Sequence, residues 1–131
     1  MDNVFDLLPK NKFDSSGMEG LKRLSDEEIH PILPALLEWI QDMNWPVAQK
    51  VLPVLAMHEK CLVPLIRARL QPGEGDDIWK YWIVARLLPL FSQESLASLL
   101  PSLERIALQP TDGEKDEGVD GLAADFLWGR S

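Results

Sequence analysis

The chain has 131 residues, with 21 acidic against 13 basic side chains, a formal net charge of -8 and a single cysteine, Cys61. That length fits one domain with its own core, burying roughly two thirds of the unfolded surface, and one cysteine excludes an intrachain disulfide and points to a reducing cytosol. The negative field repels phosphate backbones and anionic membrane surfaces, which argues against nucleic-acid and membrane partners.

The opening stretch carries Asp2 and Asp6 and lacks a basic region followed by a long apolar run, so no export address is expected. Apolar runs such as Tyr81 to Phe91 are broken by charge short of the ~18 residues a membrane span requires. A cytoplasmic protein is the expectation.

Residues Asp14 to Leu24 read as a lead-in helix, with Ser16 and Glu19 at capping-box spacing; Ser25 and Glu28 repeat that spacing. Pro31 and Pro34 restrict where the next helix starts, because each lacks a backbone donor. A helix over about Pro34 to Gln41 follows, then a turn at Asp42-Met43-Asn44. Pro46 suits the first position of a helix whose Val47, Val51, Val54 and Leu55 share a face. Leu62, Leu65, Ile66 and Leu70 recur at helical spacing from about Glu59, and Gln71 to Gly75 predicts the most flexible loop. Asp76 or Asp77 can cap a helix carrying Ile78, Trp79, Trp82, Ile83, Leu87 and Leu90, expected to be the central buried one. Leu96 to Ile106 predicts one further helix. Val119, Leu122, Ala123 and Phe126 predict the last, with Thr111 and Glu114 as its capping box.

One plan recurs along this order: an apolar turn with a proline, a helix ending in glutamine, a polar turn and a second helix. It appears at Leu33-Pro34 to Gln41, Val63-Pro64 to Gln71 and Leu100-Pro101 to Gln109. The second helices echo one another too, through Val51-Leu52-Pro53 and Leu87-Leu88-Pro89, and the inner prolines predict bends. The fold expected is all-α: a right-handed HEAT-like α-α superhelix of about three helical hairpins, at 30-57, 59-91 and 93-128, with residues 1-29 as lead-in and cap, in a single domain.

A family resemblance rests on longer words: Leu8-Pro9-Lys10-Asn11-Lys12-Phe13-Asp14, Trp39-Ile40-Gln41-Asp42-Met43-Asn44-Trp45-Pro46-Val47-Ala48, and Asp77-Ile78-Trp79-Lys80-Tyr81-Trp82. The chain resembles the small bacterial proteins of domain-of-unknown-function family 5071 over nearly its whole length. The resemblance implies a compact helical-repeat fold in a bacterial cytosolic protein, and it brings no catalytic residues. Gly118 and Gly121 stand where better helix formers are expected, so the last helix is expected to fray.

Catalytic and metal readings are weak. His58 and Cys61 lie three apart but are two ligands where zinc needs three or four, and no orienting group is placed for a Cys61 nucleophile. No cofactor is expected. Gly73-Glu74-Gly75-Asp76 puts acids where a phosphate cradle needs amides. Of the five tryptophans, Trp79 and Trp82 read as core, whereas Trp45, for which packing is still the favoured reading, follows a polar turn where a partner can reach it. Two functions remain. The first is a non-enzymatic module that binds another protein, a cationic one suiting the charge, through Asp42, Asn44 and Trp45. The second is a small-molecule binder or an enzyme with a pocket at Trp79, Lys80 and Trp82, although Lys80 is expected to reach solvent along its apolar stem.

Overall fold

The computed structural model describes residues 4-73 and 76-129, and every described regular element is a helix. A 3₁₀ turn at Val4–Leu7 precedes α1, which covers only Met18–Lys22. The longer lead-in helix does not form, because Asp14 competes for the backbone: its carboxylate takes both the N–H and the hydroxyl of Ser16, at 3.0 and 2.6 Å. Ser16 is thereby diverted from capping, and Gly17 stands at the N-cap with no side-chain bond. The Ser25–Glu28 capping box does form, and it opens α2, Asp26–Ile29.

Prolines then set where helices start. After a 3₁₀ turn at His30–Ile32, α3 runs Leu33–Glu38 with Pro34 in its first turn, where a missing N–H costs nothing. It tightens to 3₁₀ over Trp39–Gln41, with Ile40 leaving helical geometry at φ -96, ψ 15. Pro46 starts α4, Pro46–Ala56, and α5 spans Glu59–Arg69. The expected turn at Val63-Pro64 is absent, because Pro64 lies inside α5. Of the loop from Gln71 to Gly75, Glu74 and Gly75 lie outside the described residues.

Asp76 caps α6, Asp77–Trp82, by accepting the Ile78 N–H at 2.8 Å. The helix then widens into a π turn, Ile83–Leu87, and ends as 3₁₀ over Leu88–Leu90. Pro89 explains the change of pitch. In an α-helix its ring would strike the carbonyl four residues back; here Leu88 reaches the Ile83 carbonyl, five back, and Pro89 needs no donor. Ile78 and Leu90 are exposed while Trp79, Ile83, Val84 and Leu87 are buried, so this element is two-faced rather than buried all round.

The apolar run from Leu96 to Ile106 divides into α7, Gln93–Ala97, and α8, Leu100–Leu108. The Thr111–Glu114 box caps a separate short helix, α9, Asp112–Asp116. Gly118 then takes φ 77, a left-handed conformation that only glycine adopts without strain, and turns the chain into α10, Val119–Trp128. The glycine that looked like a fault in a helix is thus the break between two.

One hydrophobic cluster runs from Met18 to Ala123. Fully buried residues such as Leu21, Leu36, Val51, Leu55, Ile66, Ile83, Leu103 and Ala123 join helices far apart in sequence. Each buried Val, Leu or Ile contributes about 1.5–3 kcal/mol. In packing order, α4 lies against the π turn and the π turn against α10, which also packs on α8; α5 lies between α4 and α7. Trp79 pins α6 to α3, its indole N–H donating to the Leu37 carbonyl at 3.1 Å.

Candidate functional sites

The turn after α3 is built by its own side chains. Asp42 accepts the Asn44 N–H at 2.9 Å, and the Trp45 N–H reaches the Asp42 carbonyl at 3.1 Å. This leaves Asn44 exposed and Trp45 half-buried, its ring edge-on to Trp39 with centroids 5.7 Å apart. The first turn of α4 has no side-chain cap; instead the Val47 N–H donates to the Lys12 carbonyl at 2.9 Å. That bond brings the lead-in segment to the turn and with it Phe13, 70% exposed, under the Lys12 ammonium. Sequence reasoning passed over Phe13. The signal was available: a phenylalanine between lysine and aspartate, outside any apolar periodicity.

Trp79, Lys80 and Trp82 occupy three different settings. Trp79 forms a wall of a cleft of about 250 Å³ between α3, α5 and α6, shared with Pro34, Leu37, Glu38, Leu65, Ala68 and Arg69. The Arg69 guanidinium lies 5.4 Å from the centre of the Trp79 ring. Trp82 stands edge-on against Tyr81. Lys80 turns away from solvent altogether.

Lys80 is 1% exposed and does not snorkel. Its ammonium bonds Glu114 at 2.7 Å and the Gln71 carbonyl at 3.0 Å, with Asp77 at 3.4 Å. Glu114, fully buried, also takes a two-pronged contact from Arg105 at 2.5 and 2.9 Å and the Thr111 N–H at 2.9 Å. Arg105 reaches on to the Leu70 carbonyl at 2.7 Å. Burial pushes the Glu114 carboxyl up, but the Arg105 and Lys80 bonds and the Thr111 N–H outweigh it and hold the group at about 2. This is a structural clamp that joins the end of α5 to α6, α8 and α9. The capping-box spacing found Glu114, yet gave no sign that it would be buried.

A second buried polar group is His58, at the N-cap of α5. Its Nδ1 lies 2.5 Å from Asp26 Oδ1, while its Nε2 is buried without a partner among the described residues. Cys61, half-buried on the next turn, has its thiol pushed up by burial and by the charge of Asp26, so the reactive thiolate is disfavoured. No group of three or more His, Cys, Asp or Glu side chains among the described residues is arranged to hold a metal ion. Nor is any described helix long and apolar enough to cross a membrane.

An all-helical chain with an internal ion clamp, an aromatic turn on its surface and an apolar cleft is, by class, a small helical domain. It belongs to the family described as a domain of unknown function, DUF5071, whose model matches residues 7-127. No curated protein matches the chain.

Proposed function

We propose that the protein is a non-enzymatic module that binds another protein through the surface formed by Phe13, Asp42, Asn44 and Trp45. The observation that carries this reading is Phe13, an aromatic ring 70% exposed next in sequence to Lys12, whose carbonyl accepts the Val47 N–H just after the turn that Asp42 orders. Exposed aromatic rings on a rigid support are the residues that most often dominate binding energy. Rigidity matters because side chains already held in place lose little freedom on association.

Charge sets the class of partner. The chain carries a net -8, so a cationic protein gains in encounter rate, and neutralising or regulating that partner is the role we infer. The order of packing, α4 on the π turn and the π turn on α10, supports reading the body as a HEAT-like stack with its second helices in one row. We infer a cytosolic setting, for which the single cysteine, Cys61, is the support, because a chain without a disulfide suits a reducing compartment.

The test is affinity capture from native cells with the tagged protein, alongside Phe13→Ala, Trp45→Ala and Asp42→Ala. A stoichiometric partner is expected, and its capture should fall at least about tenfold in Phe13→Ala with thermal stability unchanged, the size of a modest hot spot. A partner held equally by all three variants would place the interface elsewhere.

A further inference from the structure

No residue from Lys10 to Ser16 is buried, so the loop that carries Phe13 takes its shape from hydrogen bonds rather than from packing. One carboxylate closes it. Asp14 accepts the Lys10 N–H at 2.9 Å, the Ser16 N–H at 3.0 Å and the Ser16 hydroxyl at 2.6 Å. Within that ring, Asn11 accepts the Phe13 N–H on its side-chain oxygen at 2.9 Å and the Asp14 N–H on its carbonyl at 3.1 Å. The Ser16 hydroxyl and the two N–H groups grip the charged form of Asp14, which holds its carboxyl at about 2 rather than the ordinary 3.8. Two more bonds fasten the loop to α4, one on each side of Phe13. The Val47 N–H donates to the Lys12 carbonyl at 2.9 Å, and the Lys50 ammonium donates to the Ser15 hydroxyl at 3.3 Å. Both donors belong to the helix that Trp45 caps, so the loop is fixed relative to the turn at Asp42 to Trp45.

We propose that Asp14 is the positioning residue of the binding surface: it sets the backbone that presents Phe13, so that the ring meets its protein partner already in place. This rests on the reading of Phe13 as the main contact. Without the carboxylate, Lys10 and Ser16 are released, and the backbone around Phe13 has to be ordered again at the moment of binding. The partner then binds about five- to thirtyfold more weakly, the factor for fixing one residue's backbone. Asp14 acts here through Phe13 and makes no contact of its own with the partner.

Loop order is measured first, on the free full chain, by backbone NMR relaxation. Order parameters at Asn11, Lys12 and Phe13 should be about 0.85 in the native chain and fall below about 0.6 in Asp14→Ala, with those of α4 unchanged. The partner obtained by affinity capture then serves for a double-mutant cycle, at a temperature where every variant is folded. Asp14→Ala should weaken it by the factor above in the native chain and not at all in Phe13→Ala, while adding to the effect of Trp45→Ala. Asp14→Asn, which keeps one acceptor oxygen, should lose less. A loop already mobile in the native chain overturns the proposal. So does an Asp14→Ala loss that persists in Phe13→Ala, which would make Asp14 a contact in its own right. A loosened loop with native affinity, while Phe13→Ala still weakens binding, overturns it too and leaves the Phe13 reading standing. Capture indifferent to Phe13→Ala removes that reading, and the role of Asp14 with it.

Discussion

Substituting Glu114 by glutamine removes the charge that holds two cations inside the protein. Lys80, 1% exposed, would keep only the Gln71 carbonyl at 3.0 Å and the more open Asp77 at 3.4 Å. Arg105 would lose the strong member of each of its contacts to the carboxylate. Removing one partner from a buried pair typically costs about 3–5 kcal/mol, because the other charge stays behind unpaired. For a domain of this size each kcal/mol is worth about 3–5 °C, so Glu114→Gln should lower the melting temperature by about 10–20 °C. The acid limb gives a second reading. Glu114 is held at about 2 in the fold against an ordinary 4.5, which is a depressed folded value. Its contribution, about 3 kcal/mol, is therefore complete above pH 4.5 and is lost as pH falls toward 2. Urea unfolding from pH 7 to 2 should show a steep loss of stability in the native chain and a shallower one in Glu114→Gln. A residual fall remains through Asp14, which the Ser16 hydroxyl and the Lys10 and Ser16 N–H groups also hold at about 2. A variant within about 3 °C of the native chain, with an unchanged acid limb, would refute the clamp. The triple change Lys80→Met, Arg105→Met, Glu114→Leu strands no charge, so its remaining loss should come from the helix cap and from the Leu70 and Gln71 carbonyls that lose their donors, about 1 kcal/mol each.

Three further outcomes follow from single residues. Asp26→Ala removes an exposed carboxylate, a change normally within about 0.5 kcal/mol, but here it takes the partner from Nδ1 of buried His58, whose Nε2 already has none among the described residues, and should cost about 1–3 kcal/mol by chemical denaturation. Gly118→Ala puts a Cβ at φ 77 in open space, so its cost should be conformational only, about 1–2 kcal/mol, and Gly118→Asn should recover part of it. Gly17→Ala drives a methyl into the Leu7 carbonyl, and about 1–3 kcal/mol of destabilisation is expected from overpacking; a melting temperature equal to native would show that the 4–8 segment yields freely.

Short-range rules were legible where the local chemistry is closed within a few residues. Ser25 with Glu28, Thr111 with Glu114, Asp76 at its N-cap and Pro46 at N1 all act as their spacing predicts. Where two local options compete, spacing could not choose: Ser16 had a capping partner in Glu19, but Asp14 was nearer. Pro64 shows another limit, since a proline reads as a helix start or a helix interior according to what α5 packs against. The clamp was the least legible feature. Lys80, Arg105 and Glu114 are up to 34 residues apart, and nothing in the pattern of a charged residue on a helix says that its partners will be buried with it. The cleft was half legible: Trp79 stood out as a core tryptophan, whereas no spacing or periodicity marked Glu38 or Arg69 as its lining.

The clamp also bears on how the chain comes apart. A row of helices in contact only with neighbours opens from its ends, each unit melting at its own free energy. Here Glu114 and Arg105 belong to the C-terminal helices while Lys80, Leu70 and Gln71 belong to the middle, so peeling away α8 to α10 would break every charged contact of the clamp except that of Lys80 with Asp77. The C-terminal third is therefore locked to the centre in one cooperative unit. Amides of α6, α8 and α10 should exchange with solvent deuterium at a common rate in the native protein, and on separate timescales once Glu114 is replaced.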